Sequence, residues 1–478
     1  MAREHPFLLA GEWQRSDRAL EVRSPYDGEV AGVTFVPTGE QVEEAVRRAV
    51  SGFEETRRLS SEERARILTR MRDGLALRQE EFVRTIVLEA GKPWKDAAAE
   101  TDRALHNLEV AAEEAKRIGG EIMPLDLREH SRDRIGLLRR YPLGPIAAIT
   151  PFNFPLNLPL HKLGPAIAAG NTIVLKPAAK TPLTALALAE VMAEAGMPPG
   201  MVSVLPIPST MAEEMLVKDD RFKMLTFTGS AEVGWRLKGI AGKKRVTLEL
   251  GGNAAAIIDE GANTELAVKR IAQGGYTYAG QSCISVQRVY VHESAYAAVS
   301  RELVAAVGAL KVGDPMDPET DVGPMIEEAA VQRTREWVQE AVAGGAKLLA
   351  GGEGDGRFFQ PTVLESVPPQ AKVCRAEVFA PVVALFPFAE FEEAIAAVND
   401  SPYGLQAGVF TPSLANAFRA FDELEVGGVI VNDVPTYRTD PMPYGGVKDS
   451  GLGREGPRFA IEEMTELRLM VLRTQGAR

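Results

Sequence analysis

The sequence predicts an α/β protein of two domains, the first on a parallel sheet and the second also α/β, with a small β element, and three observations carry that expectation. Between Pro145 and Asp259, short apolar runs alternate with helical segments, the pattern of parallel strands covered on both faces. A second stretch with the same rhythm runs from about Leu266 to Asn432. At 478 residues the chain also exceeds what a single core organises.

Taken in order, the elements have local reasons. Before Ile118 the periodicity is mostly helical. Thr38 with Gln41, and Ser60 with Glu63, both match a capping box, in which side chains satisfy the free amides of a helix start. Leu68, Met71 and Leu75 recur at helical spacing in the second of these helices, and a later helix through Val83 to Leu88 stops at Gly91. From Ile118 to Pro142 the chain is Gly-rich at its start and crowded with Arg and Asp, and it reads as an excursion or hairpin. The parallel region then supplies runs at Ile146 to Ile149, Thr172 to Leu175, Val202 to Leu205, Met224 to Phe227, Val246 to Leu250 and Ala254 to Ile258. Thr181-Pro182 opens one crossover helix as N-cap and first helical residue, and Gly196 closes it. Val289 to Val291, Val382 to Phe386 and Val429 to Val431 are runs of the second domain. Glu463 to Arg473 alternates enough to pair as a strand. The excursion and this last strand read equally well as surface segments or as oligomer contacts.

Composition narrows the function classes. An apolar fraction of 45% and a charged fraction of 25% are those of a soluble globular protein. A net charge of -12 repels a phosphate backbone and an anionic bilayer, so neither nucleic acid nor membrane is an expected partner. The N-terminal residues show no long apolar core of a secretory signal, which points to a cytoplasmic location. Two cysteines build no disulfide framework in a chain this long, and a reducing compartment keeps both free. Cys374 reads as a small buried hydrophobe, and no metal site is expected.

Chemistry concentrates at Cys283, in Gly280-Gln281-Ser282-Cys283, which lies beyond the acidic strand end Leu248-Glu249-Leu250-Gly251-Gly252. A thiol that attacks a carbonyl and a carboxylate that activates water are the minimum apparatus for making and hydrolysing a thioester. The Gly-rich stretch around Cys283 suits a loop opening a helix, where backbone amides favour the thiolate. Burial at a strand end would raise the pKa of Glu249 towards the working range.

These residues stand among seven motifs that occur in order along nearly the whole chain. They are Thr150-Pro151-Phe152-Asn153-Phe154-Pro155, Leu175-Lys176-Pro177, Phe227-Thr228-Gly229-Ser230 with Val233-Gly234, the Glu249 and Cys283 segments, Glu377-Val378-Phe379-Ala380-Pro381, and Pro443-Tyr444-Gly445-Gly446. In this the chain resembles the aldehyde dehydrogenase superfamily. The resemblance implies a Rossmann-like cofactor domain over residues 1–117 and 143–250, a catalytic domain over 251–440, and an oligomerisation element from 118–142 and 460–478. A homodimer or homotetramer would follow.

By the same resemblance, Cys283 is the nucleophile, Glu249 the base that hydrolyses the thioester, and the amide of Asn153 with the Cys283 N–H the oxyanion hole. Read from the residues alone, Asn153 is a turn former between two prolines. Branches that pass the acyl group to coenzyme A resemble this chain but typically lack the glutamate, so release of a free acid is implied. No Gly-x-Gly-x-x-Gly follows the first strand of the region, and a standard dinucleotide fingerprint fails. Gly229 and Ser230, after a strand and opening a helix with Val233, would instead meet the pyrophosphate. Lys176 would contact the adenosine ribose, Glu377 the nicotinamide ribose, and Phe379 would pack near the ring. Thr150, Pro151, Phe152, Leu250 and Gly251 complete the implied cofactor contacts.

Two departures bear on selectivity. NAD-preferring relatives commonly carry a glutamate shortly after the Lys-Pro motif; here Ala179 stands there, followed by Lys180. Loss of the carboxylate removes repulsion towards a 2′-phosphate, and Lys180 would either attract that phosphate or remain a solvated surface charge. The expected cofactor is therefore NAD or NADP. Ser282 precedes the nucleophile where relatives acting on phosphorylated aldehydes often carry arginine, which disfavours a phosphate-bearing substrate. The segment from Val431 through Tyr444 resembles branches acting on short oxygenated aldehydes such as lactaldehyde, glyceraldehyde or succinate semialdehyde. Arg103 and Arg438 would meet a hydroxyl or carboxylate on such a substrate, and Phe152, Phe154 and Tyr437 would wall its tunnel. Two other classes compete: a cofactor-independent cysteine hydrolase, disfavoured because the five histidines form no Cys-His signature, and a non-catalytic scaffold, disfavoured because Cys283, Glu249 and Asn153 are all retained.

Overall fold

The computed structural model describes residues 3–474 and is built on two large sheets. In the first sheet, five parallel strands lie in the order Arg245–Glu249, Met224–Thr228, Ile146–Ile149, Ile173–Lys176 and Val202–Val204. Strand order reverses between Ile146–Ile149 and Met224–Thr228, so the loops leaving these neighbours diverge and open a crevice at their carboxyl ends. Phe7–Leu9 and Glu12–Gln14 extend one edge, and Gly451–Leu452, far along the chain, pairs antiparallel with Arg245–Glu249 at the other.

Some of the helices over this sheet start where side chains satisfy their first amides. Thr38 and Ser60 both form complete capping boxes, for the helices Gly39–Thr56 and Ser61–Leu77, and Gly91 ends Gln79–Ala90 in the left-handed conformation. Leu68, Met71 and Leu75 are fully buried. One cap differs from expectation: helix Leu183–Glu194 follows Pro182, and Thr181 does not cap it. The buried carboxylate of Glu89 accepts from the N–H groups of Leu183 (2.7 Å) and Thr184 (2.9 Å) instead, a cap supplied by another helix.

The second sheet has the order Lys347–Ala350, Thr362–Glu365, Val382–Phe388, Arg288–His292, Ala255–Ile258, Gln406–Phe410, Gly428–Val431, and is parallel except at Lys347–Ala350. Ala255–Ile258 therefore belongs here and not, as the continuous rhythm from Pro145 to Asp259 suggests, to the first sheet. Gly251 and Gly252 carry the chain from one sheet to the other, and periodicity does not register which sheet a buried strand joins. Residues 120–142 form a hairpin of Gly120–Pro124 and Arg134–Pro142, and Thr465–Arg473 adds a third strand along its whole length. Residues 475–478 of the expected oligomerisation element lie outside the described residues. No helix among the described residues is long and apolar enough to cross a membrane.

Candidate active site

The crevice of the first sheet faces the second sheet across a cavity of about 260 Å³. Its wall is assembled from strand-end loops: Pro151 to Phe154 after Ile146–Ile149, Gly229 and Ser230 after Met224–Thr228, and Glu249 to Gly251 after Arg245–Glu249. The second domain contributes Ser282, Cys283, Glu377 and Phe379, and the late chain contributes Arg438, Tyr444 and Glu455.

Cys283 is not at a helix start. It lies in a turn after the short helix Thr277–Gly280, and the next element is the strand Arg288–His292, so no run of helical amides faces the sulfur. The backbone ahead of it is strained: Tyr278 and Ala279 hold φ near +50°, where side chains are disfavoured. Tyr278 is pinned by its N–H to Asp96 (3.1 Å) and its hydroxyl to the Ala90 carbonyl (2.9 Å). Gly280 follows at φ +68°, and a Cβ there would sit 2.2 Å from the Ala380 oxygen. The sulfur keeps partial access through the cavity, yet burial pushes its thiol up to about 12 against an opposing hydrogen bond from Tyr444. Cys283 Sγ and Tyr444 Oη are 2.9 Å apart.

Asn153 is buried beside it. Its Nδ2 donates to the Gln281 carbonyl at 3.0 Å, which ties the two loops together and leaves one N–H free, while Oδ1 has no partner. Glu249 ends its strand buried, with both carboxyl oxygens unpartnered. Burial pushes its carboxyl well above the usual range, and the neighbouring Glu455 adds to this. Burial also works against Glu455, but Lys162 and Arg438, each 3.1 Å away, hold that carboxyl below the usual range. One carboxylate is thus paired and charged, and the other is kept as an unpaired acid that ionises late.

The cavity's other side suits a dinucleotide. A Cβ on Gly229 would lie 2.5 Å from the Phe227 ring, and one on Gly251 would lie 2.2 Å from Glu377 Oε2, so only glycine leaves the backbone this close. Ser230 caps the helix Ala231–Ile240 without a side-chain hydrogen bond, leaving its first amides available to an anion. Glu377 accepts from the Gly252 N–H at 3.2 Å and burial pushes it up to about 7. Phe152 and Phe379 meet edge to face at 6.0 Å. Lys176 is buried at its strand end, with burial pulling its ammonium down to about 8, and the Thr150 N–H donates to its carbonyl. Val233 packs on the first core, and Leu250 is buried against the Gly234 approach. These features fit the group the first domain's topology implies.

Six expected residues lie outside the cavity wall, Thr150, Lys176 and Val233 of the cofactor set among them. Lys180 forms an exposed ion pair with Glu327 and, with Ala179, lies outside the cavity wall. Tyr437 is exposed and is not part of that wall.

Arg103, Phe154 and Arg438 do line it, and they also line an adjoining cavity of about 270 Å³ with Lys92 and Arg270. Arg103 lies 3.0 Å from His161 Nε2 and 3.3 Å from Asp440 Oδ1, and its Nε is buried without a partner. Burial, then the neighbouring cations Arg438 and Arg103, hold the His161 imidazole well below its usual pKa.

Sequence reasoning gave Tyr444 no role and missed Glu455, Lys162 and Asp440. One signal was present: His161 and Lys162 are charged or polar residues within Asn157–Ala169, a helix buried on every side, where such groups need partners.

Residues 13–470 match the family model described as the aldehyde dehydrogenase family. The chain is 47% identical over 470 residues to a 3-sulfolactaldehyde dehydrogenase of Priestia aryabhattai, covering 98% of each. Among solved structures, aldehyde dehydrogenase 21 of Physcomitrella patens, in complex with the reaction product succinate, superposes with a TM-score of 0.98 at 43% identity over 100% of both chains. Glyceraldehyde-3-phosphate dehydrogenase GapN of Methanocaldococcus jannaschii, complexed with NADP, superposes with a TM-score of 0.92 at 36% identity, covering 96% of this chain and 100% of that one.

Proposed function

The chain belongs to the aldehyde dehydrogenase family, and we propose that it oxidises a short aldehyde bearing a hydroxyl or an anionic group to the carboxylic acid, using Cys283 as nucleophile. One observation carries the mechanism: the sulfur, the unpartnered Glu249 carboxyl and the Asn153 amide border a single cavity.

Cys283 Sγ, as the thiolate, attacks the carbonyl carbon, and the carbonyl oxygen takes up its negative charge. The free N–H of Asn153 and the Cys283 backbone N–H donate to that oxygen, a contact of about 3 to 4 kcal/mol in the transition state. NAD(P), when bound, would supply the hydride acceptor for that carbon. Glu249, unengaged by any hydrogen bond, takes a proton from the water that cleaves the resulting thioester. Gly229, Gly251, the open amides after Ser230, and Glu377 would hold the dinucleotide, with Lys176 placed to meet its adenosine end. Residues 1–117 and 143–250 serve as the cofactor domain and 251–440 as the catalytic one. A cofactor-free hydrolase has no support, because the partner of Cys283 is a phenol and the cavity's His161 is occupied by Arg103 and Asn107.

For the substrate, the buried and unpartnered Nε of Arg103 favours an anionic or hydroxylated tail. The sulfolactaldehyde dehydrogenase and the succinate-bound structure both concern compounds with an acidic group, which supports the same class. With Ser282 before the nucleophile, a phosphate is disfavoured. Initial rates on lactaldehyde, succinate semialdehyde and sulfolactaldehyde against plain butyraldehyde test this; a higher kcat/KM for butyraldehyde would refute it.

For the cofactor, NADP is used beside NAD. The supporting feature is the absent carboxylate at Ala179, since the Lys180 ammonium is engaged by Glu327. We also place the enzyme in the cytoplasm, given two unpaired thiols, and as a homo-oligomer. Exposed apolar residues Leu467, Leu469 and Met470 on the strand Thr465–Arg473, and Leu414, Phe418 and Phe421 on the helix Leu414–Glu423, form faces that a second copy would cover. Sedimentation showing a monomer at working concentration would overturn that assignment.

A further inference from the structure

Among the described residues the reacting sulfur has one side-chain hydrogen-bond partner, and that partner is rigidly held. Tyr444 is buried, and its backbone N–H and carbonyl both pair with Glu455, at 3.0 and 2.6 Å. The Arg438 guanidinium lies 3.5 Å from the centre of its ring and is itself anchored by Glu455. A phenol fixed on both its backbone and its face has little freedom beyond rotating its O–H, and the sulfur lies 2.9 Å from that oxygen.

Such a donor answers a problem the site creates. Burial disfavours the sulfur anion first, and the carboxyls of Glu377 and Glu249 disfavour it further. No helix start supplies amides at Cys283, and one N–H of Asn153 is spent on Gln281. On the favourable side stand the Tyr444 hydroxyl and, behind it, Arg438.

We propose that Tyr444 is a further catalytic residue, whose hydroxyl donates to Cys283 Sγ, orients the sulfur into the cavity and stabilises it as the anion. This rests on the reading of Cys283 as nucleophile. No bond to Tyr444 forms or breaks. Its hydrogen bond is strongest to the free thiolate and weakens once sulfur is bonded to carbon, so the same donor aids attack and, when the thioester breaks, departure of the thiolate.

The test is the pH dependence of Cys283 alkylation by iodoacetamide, followed by mass spectrometry on the cofactor-free enzyme. Tyr444→Phe keeps the ring under Arg438 and removes only the donor. Its alkylation midpoint should rise by about one pH unit, with roughly tenfold slower labelling at neutral pH. A ring-fluorinated tyrosine at 444, a more acidic donor, should move the midpoint down. Coincident profiles for wild type and both variants would overturn the proposal. An active Cys283→Ala variant would instead defeat the nucleophile assignment, so the two failures are distinguishable.

Discussion

On the proposed mechanism, Glu249→Gln removes the deacylating base without removing a hydrogen bond. Both carboxyl oxygens are buried and unpartnered, and glutamine has the same shape, so no contact seen in the structure is lost. Burial, and then Glu455, push the Glu249 carboxyl well above its ordinary range. An acid whose pKa is higher folded than unfolded binds more protons in the folded state between those two values. Stability therefore falls as pH rises through that window. Glutamine has no proton to lose, so the variant should match wild type in apparent Tm at acidic pH and exceed it at alkaline pH. Kinetically, losing a general base slows the step it serves by about 100- to 10,000-fold. That step is thioester hydrolysis, while attack and hydride transfer retain their groups. Stopped-flow absorbance of the reduced cofactor should show a burst of about one equivalent per site, followed by slow turnover. A linear trace with an undiminished steady-state rate would refute the reasoning, and a fall in Tm at alkaline pH would show that the carboxyl is not held as an unpaired acid.

Cys283→Ala should abolish oxidation while calorimetry shows cofactor binding little changed; retained turnover would remove the mechanism. Ala179→Glu should shift the ratio of kcat/KM values towards NAD by placing a carboxylate against the 2′-phosphate, and an unchanged ratio would count against that position. Glu377, at about 7 in the fold against an ordinary 4.5, should cost the protein about 3 kcal/mol of stability between those pH values, because the unfolded chain releases that proton first. Glu377→Gln keeps the acceptor for the Gly252 N–H and should flatten that slope in melting curves at pH values on either side; parallel curves would refute it.

Much of the fold was legible because its causes are local. The capping boxes at Thr38 and Ser60 each join residues three positions apart, and a strand such as Ile146–Ile149 announces itself by a run of apolar neighbours. The Gln79–Ala90 helix ends at Gly91 for an equally local reason, a left-handed residue that glycine tolerates. Cys283, Glu249 and Asn153 were legible as candidates because each stands in a motif with its own chain neighbours, and all three line one cavity.

What eluded the sequence depends on residues that meet only after folding. Glu89 supplies the cap that Thr181 appeared to own, from 94 and 95 positions away. Ala255–Ile258 is as apolar as any strand of the first sheet, and only its partners Arg288–His292 and Gln406–Phe410 assign it to the second. The setting of the sulfur shows the same division. Its residue type and neighbours marked it as a nucleophile, whereas its turn, its phenol partner 161 positions on, and the Lys162–Glu455 pair spanning 293 positions were decided by packing. Periodicity and capping are short-range and can be read along the chain. The electrostatics of a buried site arise from which charges converge and how much water they lose, and these exist only in three dimensions.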